Sequence, residues 1–348
     1  MNLDIALLLA QDGLTNGAIY ALLALALVLV YAVTRVIFIP QGDVVVLAAL
    51  SFATLQSGAA PGTMWLLAAL ALTSGMADLW TALRTGQRPA WWRLFGVHVV
   101  LPIAAIALCT TLDLKALGVP AQMALTALLV VPMGPMLYRL AYEPVAEAST
   151  LVLLIVSVAV HFVVVGLCLY IFGPEGMRVA PFSAASFELG SVLVTAQSVW
   201  IVGVSIVLIV ALYLYFGRTI DGKALRAAAF NREGARLMGI SPMRAGRLSF
   251  SLATAIGTVS GILLVPVTTV YYDTGFLVIL KGFVGAILGG LASYPMAAAG
   301  ALFVGLVEAG ASFWASAFKE VIIFTMTIPM LLWLSLHVRE EDEEEDEQ

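Results

Sequence analysis

The sequence predicts an all-α polytopic membrane protein of about ten transmembrane helices. Three observations carry that expectation. Of the 348 residues, 61% are hydrophobic and only 11% are charged, where soluble domains carry about 25% charged residues. The mean hydropathy is +1.02. The apolar runs approach about 20 residues, the length that crosses a bilayer as a helix, and they lack the alternation of barrel strands. The net charge of −5 is set by the acidic stretch Glu340–Glu347, and the rest of the chain is close to balanced. Cys109 and Cys168 lie in apolar runs and read as buried small hydrophobes. No disulfide framework or zinc spacing is present.

The spans follow in order. Asp4 and Asp12 leave no positive n-region, so no cleaved signal is expected. The first span covers residues 13–34 and opens with Gly13 and Gly17, a small-xxx-small pair for close helix packing. Arg35 then leads into Ile37-Phe-Ile-Pro-Gln-Gly-Asp43 and a short second span, 44–56. Two readings of Pro40–Asp43 stand: a simple turn, or a helix break at membrane depth lining a pathway, which survives only inside protein or beside water. Further spans fall at 64–83, 94–112, 119–138, 151–172, 197–216 and 248–270. A short segment at 276–291 carries Lys281 and the Gly285/Gly289 spacing, and two more spans lie at 296–313 and 321–336. The segment 276–291 either crosses or re-enters; crossing, with the tail cytoplasmic, is the expectation.

Basic loops fix the sidedness, because cationic loops resist translocation. The segment 218–247 carries Arg218, Lys223, Arg226, Arg232, Arg236, Arg244 and Arg247 against Asp221 and Glu233, which places it in the cytoplasm. Counting back puts Arg139, the Arg84–Arg93 loop with Trp91 and Trp92, and Arg35 on the same side, and the N-terminus outside. The loop 173–196 reads as extracytoplasmic. Within 218–247, KALRAAAFNREGARLMG is rich in good helix formers, with Gly239 at the C-cap. Leu225, Ala228, Ala229, Leu237 and Met238 can share one face. Ser241-Pro242 breaks the chain before the next span. This stretch is either a topology-setting loop or a docking helix. The like-charged tail 339–348 is expected to be disordered.

No GxxxxGK[ST] or HExxH motif occurs, so the chain is expected to bind no nucleotide of its own, and no metal set is expected. His161 and Glu308 sit mid-span, where burial is costly and function is the default hypothesis. Plainer roles also fit: a neutral imidazole bonded between helices, and a structural acid. Lys281 could snorkel to an interface.

At this point several stretches carry a family likeness. Gly13-Leu-Thr-Asn-Gly-Ala-Ile-Tyr-Ala-Leu22, Arg35–Asp43, Tyr142-Glu-Pro-Val145, Arg226–Ile240 and Lys281-Gly-Phe-Val-Gly-Ala-Ile-Leu-Gly-Gly290 occur in the family's order. The chain resembles the LivH-type permease subunit of branched-chain amino acid ABC importers. The usual His before Gly42 is here Gln41, and Phe230 stands where the family often has an acid. Residues 65–115 look like an insertion of about two spans.

The resemblance implies a single ABC-importer permease bundle over 1–338 in a bacterial inner membrane. It implies a second, LivM-type permease, two LivG/LivF-type ATPases that hydrolyse the ATP, and a periplasmic solute-binding protein. Lipid surrounds it, and no nucleic acid is expected. It assigns ATPase coupling to Arg226, Ala228, Ala229, Gly234, Leu237, Gly239 and Ile240. It assigns the translocation path to Asn16, Tyr20, Gln41, Gly42, Asp43 and Glu308, and helix packing to Gly13, Gly17, Gly285, Gly289 and Gly290. The chain would move branched-chain amino acids or a related small solute. The main rival is a proton-coupled secondary transporter that acts without an ATPase. An intramembrane enzyme would need a close acid–base or nucleophile set, which the sparse His and Cys residues do not supply.

Overall fold

The computed structural model describes residues 3–86, 95–183, 185–189, 192–291, 293–326, 328, 329 and 332. Arg88, Trp91, Trp92, Arg93, the tail 339–348 and part of the last expected span lie outside them.

In chain order the helices are α1 (Leu3–Thr34), α2 (Gln41–Ser57) and α3 (Thr63–Thr85). Next come α4 (Gly96–Thr111), the kinked run α5 (Val119–Val145) and α6 (Thr150–Phe172). A hairpin of β1 (Ser186–Leu189) and β2 (Val192–Thr195) precedes α7 (Ala196–Arg218). Two short helices, α8 (Ile220–Phe230) and α9 (Arg232–Leu237), lead into α10 (Pro242–Leu264). The described chain closes with α11 (Thr274–Leu288), α12 (Tyr294–Trp314) and a helical run at 319–326. Seven of the described helices are long and apolar enough to cross a membrane, with α4 and α11 as shorter apolar helices.

The chain forms two compact units. The first comprises Met1–Val28, Ser183–Ile209 and Val278–Gln348; the second comprises Leu29–Phe182 and Val210–Leu277. In the first, α1 is apolar all round, and such helices are buried; Ile19, Leu22, Leu23, Ala24 and Ala26 are fully so. Small residues allow the close approach that packs helices in lipid. A Cβ on Gly17 would meet the Leu302 backbone at 2.9 Å, and one on Gly13 would meet that of Leu306 at 2.8 Å. Gly285 and Gly289 face Ala301 and Ala297, so α11 and α12 pack antiparallel across a tight turn. Gly290 does something else. It lies in that turn at φ +63°, with open space where a Cβ would be. It caps α11 rather than packing it.

In the second unit α2 lies against α10. Gly257 makes room for Gln41 and Val44, and Gly261 for Val45 and Ala48. Phe38, Tyr138, Tyr142 and Phe250 form one aromatic cluster, with Phe38–Phe250 centroids 4.6 Å apart. α5 kinks at Pro132. Pro135 cannot donate to the Val131 carbonyl, and Gly134 N–H at 3.3 Å and Thr254 Oγ1 at 3.1 Å reach that oxygen instead.

Several expectations change. The 218–247 stretch is two helices, not one. Asn231 leaves helical geometry at φ −146°, ψ 100°, and its Oδ1 accepts from Gly234 N–H at 2.8 Å, capping α9. An Asn side chain offers that competing bond to the backbone. The single apolar face is lost with it. Leu225 and Ala228 are buried, but Leu237 and Met238 are 88% and 83% exposed. The chain does break before the next span, at 238–241, but the new helix starts earlier than 248: Ser241 caps α10 and Pro242 occupies its first turn. Arg244 and Arg247 are therefore helical. Lys281 does not snorkel; it is 5% exposed. The hairpin β1–β2 in the 173–196 loop had no counterpart in the hydropathy pattern.

Candidate functional site

The residues assigned to the path fall into two groups, each inside one unit. In the second unit, α1 ends at Thr34 and Arg35 takes φ +61°. Residues 35–40 are non-helical, yet Val36, Phe38 and Pro40 are buried. Helix α2 starts at Gln41, so Gln41, Gly42 and Asp43 are its first turn, with Pro40 as N-cap. The broken segment is thus a buried junction between two helices. Its freed backbone groups pair locally, Gln41 N–H with Phe38 O at 3.1 Å and Gly42 N–H with Ile39 O at 3.3 Å.

Gln41 and Asp43 point to different neighbours, as i, i+2 residues on a helix must. Gln41 Nε2 donates to Ala253 O of α10 at 2.8 Å. Its Oε1 is buried with no hydrogen-bond partner among the described residues. Asp43 meets His161 of α6, with Nδ1 at 2.8 and 2.9 Å from the two carboxylate oxygens. Asp43 is 2% and His161 7% exposed. The Asp43 bonds point to a proton on Nδ1. The His161 ring also stacks at 5.1 Å on Phe276. Gly42 is pressed by Gly275, whose Cβ would come within 2.5 Å of the Gly42 carbonyl. This turn is therefore held by α10, α6 and the start of α11.

In the first unit, Glu308 of α12 accepts a hydrogen bond from Tyr20 Oη at 2.6 Å and an ion pair from Lys281. Lys281 Nζ also reaches Glu320 Oε1 at 3.1 Å, and it lies 5.7 Å from the Tyr20 ring centre. Two carboxylates thus share one buried ammonium. Asn16, one turn before Tyr20, is half-buried and joins none of these contacts. No group of three or more potential metal-ligating side chains occurs among the described residues.

The residues that the resemblance assigns to coupling lie on α8, α9 and the turn after them. Thr219 caps α8 through Gly222 N–H at 3.0 Å. Arg226 is exposed and Ala229 half-exposed, while Ala228 is buried against the unit. Gly234 receives the Asn231 cap. Gly239 takes φ +82° and closes α9, with Ile240 N–H bonded to Ala235 O at 2.9 Å. Phe230, Leu237 and Met238 are exposed. An open cleft beside them is lined by Tyr138, Glu143, Glu147, Arg232, Arg236 and Gly239, among others.

Sequence reasoning missed the partners. In the sequence Asp78 is only an acid near the end of the expected span 64–83. It takes Arg139 Nε at 2.5 Å and Arg247 Nη2 at 3.2 Å. Glu143 takes both arginines as well, at 2.9 and 3.0 Å. Only the Arg139–Glu143 pair, at i, i+4 spacing, could have been read from the sequence.

Apolar helices of crossing length, with the buried charged side chains Asp43, Lys281 and Glu308 each partnered, define a polytopic α-helical membrane protein. A model of the branched-chain amino acid transport system permease component family matches residues 9–332. The chain belongs to that family. It is 29% identical to the high-affinity branched-chain amino acid transport system permease proteins LivH of Salmonella typhimurium and Escherichia coli, over 69% of this chain and 80% of each relative. It is 25% identical, with the same coverage, to the permease protein BraD of Pseudomonas aeruginosa. Among solved structures it is similar to PsaBC from Streptococcus pneumoniae in complex with Fab, at 11% identity and a TM-score of 0.36 over 92% of this chain and 89% of that one.

Proposed function

We propose that this chain is the membrane-spanning permease subunit of an ABC importer that carries branched-chain amino acids or a related small amphipathic solute across a bacterial inner membrane. Its partners are a second permease, two cytoplasmic ATPases that bind and hydrolyse the ATP, and a periplasmic solute-binding protein. The chain itself carries no nucleotide-binding motif and performs no chemistry.

One observation carries the reading beyond the family. Outside its long apolar helices the chain displays two short capped helices, α8 and α9, that hold Phe230, Leu237 and Met238 in the open at 94%, 88% and 83% exposure. Exposed apolar anchors on helices are what a groove on a partner takes up. The same segment is basic, which supports a cytoplasmic position. Arg226, Ala228, Ala229, Gly234, Leu237, Gly239 and Ile240 belong to this docking segment. A path role is given to Gln41, Gly42 and Asp43 in the first turn of α2 and, separately within the other unit, to Asn16, Tyr20 and Glu308. Residues 65–115, which hold most of α3 and α4, are an addition to the permease bundle.

The test is purification of the tagged chain in mild detergent, with mass spectrometry of what accompanies it. A second permease and two ATPases in comparable amounts support the importer. A chain recovered alone, and active in uptake when reconstituted alone, supports the proton-coupled carrier, for which the buried Asp43–His161 pair would be the acid–base element.

A further inference from the structure

Helix α10 carries two connections of opposite kind. At its start it is joined to α9 by only Met238–Ser241, a short connection held by local hydrogen bonds. Gly239 closes α9, Ile240 N–H is bonded back to Ala235 O at 2.9 Å, and Ser241 Oγ caps α10. Further along, Gly257 and Gly261 seat Gln41, Val44, Val45 and Ala48 of α2. Helix α10 therefore runs from the exposed docking segment to the first turn of α2.

Between these two ends sits a charged network. Arg247 places its guanidinium against both oxygens of Glu143, Nε at 3.0 Å and Nη2 at 3.3 Å, and against Asp78 at 3.2 Å. Arg139 holds the same two carboxylates and adds Thr81 Oγ1 at 2.6 Å and Ala77 O at 3.2 Å. Two cations and two anions cancel. Glu143 is the most enclosed, with its side chain 6% exposed, and Arg139 follows at 12%. Arg247 is 38% and Asp78 22% exposed, so water screens that arm in part, while the fork onto the enclosed Glu143 keeps it directional. The network ties four elements: α3 through Asp78, α4 through His98, whose Nε2 lies 3.8 Å from Asp78, the end of α5 through Arg139 and Glu143, and α10 through Arg247.

We propose that this network is the clasp that makes α3 and the end of α5 move with α10 when a partner displaces α8 and α9, with Glu143 and Arg247 as its positioning residues. Without the clasp, α10 rotates alone and its displacement is not passed to the helices around α2. The proposal rests on the docking role given to α8 and α9.

The test uses the assembled complex, reconstituted with its ATPases and binding protein. Glu143→Gln, Arg247→Gln and the double variant are compared for solute carried per ATP hydrolysed. Each single variant is expected to lower that ratio by about two- to thirtyfold, with the ATPases still co-purifying. The double variant should match the worse single one, because the two residues form one link. An unchanged ratio in an assembled complex, or additive losses, overturns the clasp alone. Wild-type chain that brings no ATPases overturns the docking role and the clasp with it. Should Glu143→Gln fail to accumulate, Arg247→Lys serves: it keeps the charge but loses the fork, and a wild-type ratio there overturns the clasp.

Discussion

Tyr20 and Glu308, 288 positions apart, share a hydrogen bond of 2.6 Å, and the second oxygen of the same carboxylate pairs with Lys281. This is a buried ionic contact joining α1, α11 and α12 inside one unit. Removing one partner of such a pair costs about 3–5 kcal/mol, while replacing both by apolar groups can be neutral. Lys281→Met is expected to lower the melting temperature of the detergent-solubilised protein sharply. Lys281→Met with Glu308→Leu and Glu320→Gln, which removes both carboxylates that share the ammonium, should recover much of the loss. Tyr20→Phe, which deletes one bond, should cost about 1–3 kcal/mol.

The Asp43–His161 contact invites a parallel cycle. His161→Leu strands a carboxylate that is 2% exposed and should destabilise by several kcal/mol, on the order of 3. His161→Gln can still donate and should lose less. The coupling between Asp43→Asn and His161→Gln, read from thermal unfolding, should reach about 1 kcal/mol or more. Additivity of the two would show that the contact carries no stabilisation.

Gly285 and Gly203 form a matched pair of helical glycines. A methyl group on Gly285 meets the Ala301 backbone at 2.7 Å, whereas Gly203 has open space within 4 Å. Gly285→Ala should cost about 1–3 kcal/mol by overpacking. Gly203→Ala should be neutral or stabilising by up to about 1 kcal/mol. Equal effects would mean that α11 and α12 do not pack as described.

At Gly239 the constraint is conformational, since φ is +82° and nothing crowds the position. Asn visits the left-handed region more readily than Ala or a β-branched residue. ATPase co-purification and ATP-driven uptake should therefore fall in the order Asn, Ala, Val. Gly239→Asp, which also sets a negative charge in a cleft with Arg232 and Arg236, should uncouple hydrolysis from uptake. Wild-type uptake in the Val and Asp variants would remove Gly239 from the docking segment.

Gln41 is fully buried, with Nε2 bonded to Ala253 O of α10 and an Oε1 that has no hydrogen-bond partner among the described residues. Substituting Ala or His is expected to change the ranking of solutes in a competition-uptake panel, with the ATPase complex intact. An unchanged ranking would place Gln41 outside the path.

The architecture was legible because hydropathy is a one-dimensional signal: runs of spanning length surface directly in the sequence. The basic segment and the αL glycine at 239 were legible for the same reason, being local. What was hidden is pairwise. Nothing along the chain says that Asp43 meets His161, or that Asp78 lies beneath two arginines from distant helices. The break at Asn231 was missed because Ala, Leu and Arg on both sides favour helix, while a single side-chain cap outweighs them at one position. Gly290 was read with Gly285 and Gly289 as a packing residue, since spacing alone does not reveal that the helix has already ended.

The chain's two cysteines, Cys109 and Cys168, are 2% and 0% exposed. A thiol reagent that does not cross membranes thus has no accessible native target while the fold holds. A cysteine introduced at Phe230, in the open on α8, would be labelled from one face of a sealed vesicle against a silent background. With both native thiols buried, the native protein is its own unlabelled reference, and its sidedness can be mapped one residue at a time.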